Sequence, residues 1–564
     1  MSNAAIYFHP DGYDTTGARL MGRHAAGESF LRGFLRHAAI DRLHLFNAGT
    51  RPPAALQPLL DRIEPNPHPV TWLSRMGRGS LGDPGCLYLP QPTLAAESWL
   101  RRPLGRTRYS LCGITHTTAT HRATDILADM MTSPVEPWDA LICTSDAVRS
   151  GVEALLAATR EDLRSRLGAT RFPTPELATI PLGVNASDFA ASDAARAAWR
   201  TRLDIPADAV VALYLGRFHA AGKMNPATMA LALEAAAQQT GQPIYWIVAG
   251  WSATDETTAI FHDQVRAYCP SIHYRPVDGR PADTRFSLWS AADFFISFSE
   301  NVQETFGLTP VEAMAAGLPS VVTDWDGYRD TVRHGVDGFR IPTTAPRPGL
   351  GRDLAYQYAN DWISYELYLA TAAQMTGVDH GAATAAVVAL VTNPQLRRTM
   401  GAAAARQARD HFDWSAIIPR YQALWSELAV RRKAAAASVT TQPSVTVDNP
   451  RRLDPFLLFE TYPTRILAVS DRLRVAPGMA WETGRERLTH PLGALGAAWA
   501  LPSLAEAEAV FSLLSSRPEA RVAEILETCA PGRRSFLERG LLWLVKFGIL
   551  ELVDPPTVPT ALTT

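Results

Sequence analysis

Residues Ser297–Thr323 read SFSENVQETFGLTPVEAMAAGLPSVVT. An apolar strand closes at Phe298, a polar loop follows, and Pro310 stands where a helix begins, a position at which proline's missing N–H costs nothing. The helix is expected over Pro310–Ala316, and Ser320–Thr323 opens the next apolar strand. Short apolar strands alternating with helices imply a parallel sheet covered on both faces.

The turn also carries chemistry. Amides of Gly307, Leu308 and Thr309 at a helix start face an anion, because unpaired N–H groups and the helix dipole both favour negative charge. A diphosphate fits there. Glu304 precedes the turn and Glu312 lies eight residues later inside the helix. The two carboxylates can accept hydrogen bonds from hydroxyls on two parts of one elongated ligand.

The same rhythm extends upstream. Ala209–Leu215, Ile244–Ala249, Ser271–Tyr274 and Phe294–Phe298 read as strands, separated by helices such as Asn225–Gln239. Earlier, Ala4–Phe8, Leu43–Phe46, Tyr109–Ile114 and Ala140–Thr144 read as strands, with helices over Arg23–Ala38 and Ser145–Ala158. The chain therefore holds two successive αβ units, joined through Leu182–Arg200. Past Ala429 the text turns to RRKAAAASVTTQPSVTVDNPRRLDP, poor in large apolar residues, which reads as a solvated linker. A third, mainly helical stretch follows and ends in Arg534–Lys546 and a short strand within Phe547–Val553, a pattern similar to winged-helix modules. The expected boundaries are 1–190, 191–430, a linker over 431–454, and 455–564.

A second signal follows the strand Ala209–Leu215: Gly216-Arg217-Phe218-His219-Ala220-Ala221-Gly222-Lys223. A glycine at a strand end lets the backbone approach a phosphate, and Arg217 and Lys223 can neutralise its charge. A third is Gly113-Ile114-Thr115-His116-Thr117, closing an apolar strand of the first unit.

Glu304-x7-Glu312, with Phe306-Gly307-Leu308 between and Ala313-Met314-Ala315-Ala316-Gly317-Leu318-Pro319 after, resembles the donor-site signature of glycosyltransferase family 4, retaining enzymes of the GT-B fold. The resemblance spans roughly residues 1–430. It implies an α/β architecture of two Rossmann-like domains facing across a cleft, acceptor side first and nucleotide-sugar side second. Glu304 would contact the transferred sugar, Glu312 would hold ribose hydroxyls, and the Gly307–Thr309 amides would hold the diphosphate. Gly216, Arg217 and Lys223 resemble the family's grip on the leaving diphosphate, although the Arg-to-Lys gap here is longer by one and Met224 follows the lysine. His116 resembles the histidine placed near the donor sugar. Val277 stands where the family contacts the nucleobase, and Gly17 and Gly22, in the loop after the first strand, where it contacts acceptor or phosphate. The implied reaction moves a hexose-type sugar from a nucleotide-diphosphate sugar to a hydroxyl, with retention and without a metal. The other reading is a non-catalytic nucleotide-sugar sensor or scaffold acting through its last domain.

Composition sets the outer limits. The chain has 564 residues, 54 Lys+Arg against 56 Asp+Glu and a net charge of -2, which argues against bulk electrostatic binding of nucleic acid. Five scattered cysteines at no zinc-ligand spacing fit a reducing compartment. With no apolar run long enough to span a bilayer and no basic leader, the expected location is cytoplasmic. Arg75, Arg78, Arg101, Arg102, Arg106 and Arg108 outnumber Asp83 and Glu97 between residues 71 and 110, an excess suited to an anionic acceptor or a membrane surface, or simply to a solvated face. No cofactor beyond the nucleotide-sugar substrate is expected, and no metal motif is read near the Ser297–Thr323 turn. Partner binding or self-association is expected of the last domain.

Overall fold

Apolar runs in the first third of the chain pair edge to edge in a computed structural model, which describes residues 3–15, 22–65, 68–438, 449–496 and 498–554. Strands β1 (Ala5–Phe8), β2 (Leu43–Asn47), β3 (Val70–Ser74), β4 (Cys86–Leu89), β5 (Ser110–Ile114), β6 (Ala140–Cys143) and β7 (Glu176–Thr179) form one parallel sheet in the order β3-β2-β1-β4-β5-β6-β7. The central strands β4, β5 and β6 are buried throughout, as expected of strands with helices on both faces.

A second parallel sheet follows: β8 (Val210–Arg217), β9 (Ile244–Trp251), β10 (His273–Asp278), β11 (Phe294–Ser297), β12 (Ser320–Thr323) and β13 (Gly338–Ile341), in the order β10-β9-β8-β11-β12-β13. Two parallel sheets with helices, both within one compact unit, match the pair of Rossmann-like domains that the resemblance implies. Several details differ from the sequence reading: β9 and β10 end later than expected, β13 was not read, and two differences bear on the crevice. β8 continues through Gly216 and Arg217, because it pairs with β9 as far as Trp251. The helix after β11 spans Leu308–Ala315, so Pro310 is its third residue rather than its first. That position is equally tolerant, since none of the first four helical N–H groups has an intrahelical acceptor.

The chain leaves the first lobe at Val184 and returns beside it. Val184 N–H donates to Phe412 O at 2.9 Å, and Trp414 N–H donates back to Val184 O at 3.0 Å. From there the helix Trp414–Ser438 runs across the first lobe. Its Trp414 ring meets Phe30 edge-on at 5.6 Å, and Tyr421 and Trp425 pack on Tyr88. Residues 431–438, expected as linker, are the last turns of this helix, where Arg431 binds Glu176 and Arg432 donates to the Thr107 and Arg108 carbonyls. The Ala-rich text that suggested a solvated segment is also good helix sequence.

Between β13 and the helix His380–Thr392 the chain makes an excursion. Strands β14 (Thr343–Thr344) and β15 (Gly377–Val378) pair antiparallel and bracket the helices Arg352–Ala359 and Tyr365–Gln374. Residues 449–564 form a separate unit. Within it β16 (Arg472–Val475) pairs antiparallel with β17 (Ala520–Arg521) and β18 (Leu550–Leu552), and helices including Leu504–Ser515 and Arg534–Lys546 share its core. One strand was expected there and three are present among the described residues. No helix among the described residues is long and apolar enough to cross a membrane.

The Trp414 anchor leaves no room on its neighbours. A Cβ on Gly33 would lie 2.2 Å from Trp414 Cγ, and one on Gly183 would lie 2.6 Å from its ring. Gly33→Ala should therefore lower stability by about 1–3 kcal/mol through overpacking, read as a lower thermal unfolding midpoint; an unchanged midpoint would show that the ring can yield.

Candidate functional site

Between β8 and β11 the strand order reverses, and loops leaving neighbouring strands at such a point part to form a crevice. One loop here runs from Phe218 to Asn225, the other from Phe298 to Gly307. They are bound to each other by Lys223, whose Nζ donates to Glu304 Oε2 at 2.5 Å. The pair is mostly withdrawn from water, at 20% and 13% side-chain exposure. Burial alone would lower the Lys223 ammonium, but the Glu304 carboxylate overrides it and holds the lysine above its usual value. Burial likewise pulls Glu304 up, yet Lys223 and the Thr305 and Phe306 amides keep its carboxyl below the ordinary range.

The turn that follows is built around a glycine. Gly307 has φ +82°, and a Cβ there would lie 2.0 Å from Tyr328 Cε1, so both backbone and space demand glycine. Phe306 is buried, and the helix Leu308–Ala315 starts at Gly307 with no side-chain cap, which leaves its first amides as helix-start donors. Tyr328 is fixed in turn by Ser297, hydroxyl to hydroxyl at 2.9 Å. Glu312 stands on the same helix, and burial pushes its carboxyl up to about 7 against the pull of Arg285 and Lys223. Lys223 thus acts on both acids that the sequence singled out.

Gly216 lets β8 close tightly: a Cβ on it would be 2.5 Å from Tyr214 Oη, and one on the neighbouring Gly250 would be 1.8 Å from Gly216 O. Arg217, the last residue of β8, is exposed and forms no ion pair among the described residues. Val277 lies one residue from the end of β10 and lines a cavity of about 320 Å³ with Gly250, Trp251 and Arg280. Gly22 begins the helix Gly22–His37, and Gly17 lies outside the described residues.

The first lobe supplies the facing wall. Thr305, next to Glu304, donates its hydroxyl to the His116 carbonyl, and its own carbonyl accepts from the Thr144 hydroxyl at 3.1 Å. Ser145 donates to Asp326 Oδ1 at 2.8 Å, and the Asp146 amide donates to Asp330 Oδ2 at 2.8 Å. His116 is thereby brought against the loop that carries Glu304.

Several contributors escaped the sequence reading. Glu300, Asn301 and Gln303 all reach the Phe218–Asn225 loop; Glu300 Oε1 accepts the Asn225 amide at 2.7 Å. A D-x-D run, Asp324-Trp325-Asp326, does follow β12, although no metal motif was read there. Asp324 lies 3.2 Å from Arg340, and Asp326 sits at φ +41° as the partner of Ser145. Among the described residues no three His, Cys, Asp or Glu side chains gather as a metal site. The arginine excess is partly offset from outside the segment, since buried Arg101 pairs with Asp139 and Arg106 with Glu136, while Arg78 pairs with Glu97 within it.

Residues 195–347 match the protein-family model "Glycosyl transferases group 1". Similar characterised proteins are D-inositol 3-phosphate glycosyltransferases. That of Xylanimonas cellulosilytica is 27% identical over 254 residues, 44% of this chain and 56% of the relative. That of Geodermatophilus obscurus is 25% identical over 334 residues, 56% of this chain and 62% of the relative. The chain spans about half the length of the curated relatives it matches. Among solved structures, HepE of Anabaena in complex with UDP and glucose aligns with 75% of this chain and 100% of its own at 17% identity and TM-score 0.48. Sucrose-phosphate synthase of Thermosynechococcus elongatus aligns with 78% and 100% at 17% identity and TM-score 0.44.

Burial pushes the Glu300 carboxyl up to about 8, with the Asn225 amide only partly opposing it. Between the unperturbed value of 4.5 and about 8 the folded chain therefore holds a proton that the unfolded chain has released. Stability from this group is complete below 4.5 and falls as pH rises through that window. Glu300→Gln should leave the thermal midpoint near pH 5 little changed and raise it relative to the parent by pH 8.5; a constant difference across that range would assign Glu300 a normal titration.

Proposed function

We propose that this chain is a retaining glycosyltransferase that moves a hexose-type sugar from a nucleotide-diphosphate sugar to a hydroxyl, in the manner of family 4. The observation that carries the reading is the buried Lys223–Glu304 pair beside the start of Leu308–Ala315, with Glu312 on the same helix. A lysine, helix-start amides and an exposed arginine at the neighbouring strand end form a cationic seat for a diphosphate. The cavity by Val277 receives the nucleobase, and Glu312 holds the ribose.

Departure of the nucleotide places negative charge on the diphosphate and positive charge on the anomeric carbon. Lys223, Arg217 and the amides of Gly307, Leu308 and Thr309 stabilise the first, an arrangement that needs no divalent metal. The anomeric carbon–phosphate oxygen bond breaks and the bond to the acceptor oxygen forms on the same face, while the hydroxyl proton passes to the leaving phosphate. Glu304 and the His116 segment orient the sugar from opposite walls of the crevice. The acceptor hydroxyl arrives from the first-lobe side.

A thermal-shift series with UDP-, GDP- and ADP-linked hexoses tests the first step, since a ligand of the folded state raises the melting temperature. At least one donor should stabilise the chain and be consumed, slowly with water and faster with an acceptor; binding without consumption would turn the reading to a nucleotide-sugar sensor.

Glu304→Ala should lower turnover by roughly 10²-fold or more with modest loss of nucleotide affinity, whereas Glu312→Ala should chiefly raise the nucleotide Kd, as measured by calorimetry alongside initial rates. Equal turnover in Glu304→Ala and the parent would refute that division.

A further inference from the structure

The loop that carries Lys223 is gripped by more than its ion pair. Asn301 is buried, and its Nδ2 donates to Ala221 O at 2.7 Å. Its Oδ1 accepts the Gln303 amide at 3.0 Å, which fixes which end of the side chain faces Ala221. Gln303 Nε2 donates to Gly222 O at 2.8 Å, and its Oε1 accepts the Tyr365 hydroxyl at 3.1 Å. On the inner side the Gly222 amide donates to His219 Nδ1 at 2.7 Å and the Lys223 amide to His219 O at 2.8 Å. Two consecutive carbonyls ahead of Lys223 are thus held by two side chains from the loop that bears Glu304.

Tyr365 comes from the excursion between β14 and β15, most of which lies beyond the residues 195–347 that match the family model. Its ring lies 6.0 Å from Tyr358, and Tyr358 stacks on His121 of the first lobe at 3.7 Å and 14°. His121 Nε2 and Tyr358 O are 3.1 Å apart. The bolt on Gln303 is therefore anchored across the crevice.

Lysine is a flexible four-carbon stem ending in a point charge, so its aim depends on where its backbone is held. We propose that Asn301 and Gln303 are positioning residues that hold the Ala221–Gly222 turn so that Lys223 is aimed at the leaving phosphate, and that Tyr365 locks Gln303 in that grip. The inference rests on the transferase reading for its role in catalysis, and on geometry alone for the grip itself.

The test uses the full chain as Gln303→Ala, Asn301→Ala, Tyr365→Phe and the Gln303→Ala/Tyr365→Phe double variant. Amide hydrogen exchange by mass spectrometry is read over residues 219–226 and, as control, over Leu308–Ala315. Donor consumption is read as kcat and KM. Gln303→Ala should speed exchange in 219–226 by about tenfold with the control segment unchanged. It should also lower kcat by roughly tenfold or more while KM moves by less than about threefold, since a misplaced charge is felt in the transition state. Tyr365→Phe, which removes one oxygen and keeps the ring, should move both readouts in the same direction, and the double variant should equal Gln303→Ala alone. Unchanged exchange in 219–226 for Gln303→Ala, or additive effects in the double variant, would overturn the grip. A parent that consumes no donor sinks the transferase reading, and exchange in Gln303→Ala and Tyr365→Phe then decides the grip without it.

Discussion

Two opposite charges buried between two loops impose the main constraint on this molecule. Lys223 and Glu304 are largely removed from water, and each is tolerable there because the other is present. Breaking such a pair by deleting one partner typically costs about 3–5 kcal/mol, because it strands the other charge. The loops must therefore meet, and the sheet is ordered so that they do. β8 and β11 are neighbours although two αβ units separate them in sequence; Gly250 removes the Cβ that would strike the Gly216 carbonyl, and Gly307 the one that would strike the Tyr328 ring. Glu300, Asn301 and Gln303 then engage three backbone groups of the partner loop, the Asn225 amide and the Ala221 and Gly222 carbonyls.

The first lobe is joined to this arrangement rather than merely placed beside it. Thr305 bonds to the ends of both β5 and β6, and Ser145 and Asp146 bond to the loop after β12. The helix Trp414–Ser438 returns from the second lobe to the core of the first, so the two cores are continuous through the crossing at Val184 and Trp414. A small shift between lobes would be felt at Thr305, one residue from Glu304. That coupling suits chemistry in which closure completes the site.

Legibility followed length and pattern. Most strands read from sequence were long or strongly apolar, such as β8 and β9. The apolar Cys86–Leu89 strand was not read although Ser320–Thr323, of equal length, was; it lies just past Pro84 and Gly85, which mark a turn in the text. Edge strand Glu176–Thr179 is half-buried along its length and lacks an apolar signature. The site was legible where glycine, proline and acid spacing carry backbone meaning, as in residues 304–319. Asn301, Gln303 and Asp326 were not, since small polar residues in a loop look like turn formers until their partners are known. Tyr365 belongs to an excursion with no motif, and only its contacts give it a role.

By itself the sequence determined the local units: which runs become buried strands, which turn presents free amides, and which acids stand on either side of it. These follow from residue properties within a dozen positions. The pairing of Lys223 with Glu304, the return of Trp414 to Gly33, and the contact of Tyr365 with Gln303 join residues 62 to 381 positions apart. Such meetings are set by strand order and lobe packing, and only tertiary structure decides them, because no local propensity distinguishes a buried partner from a solvated one.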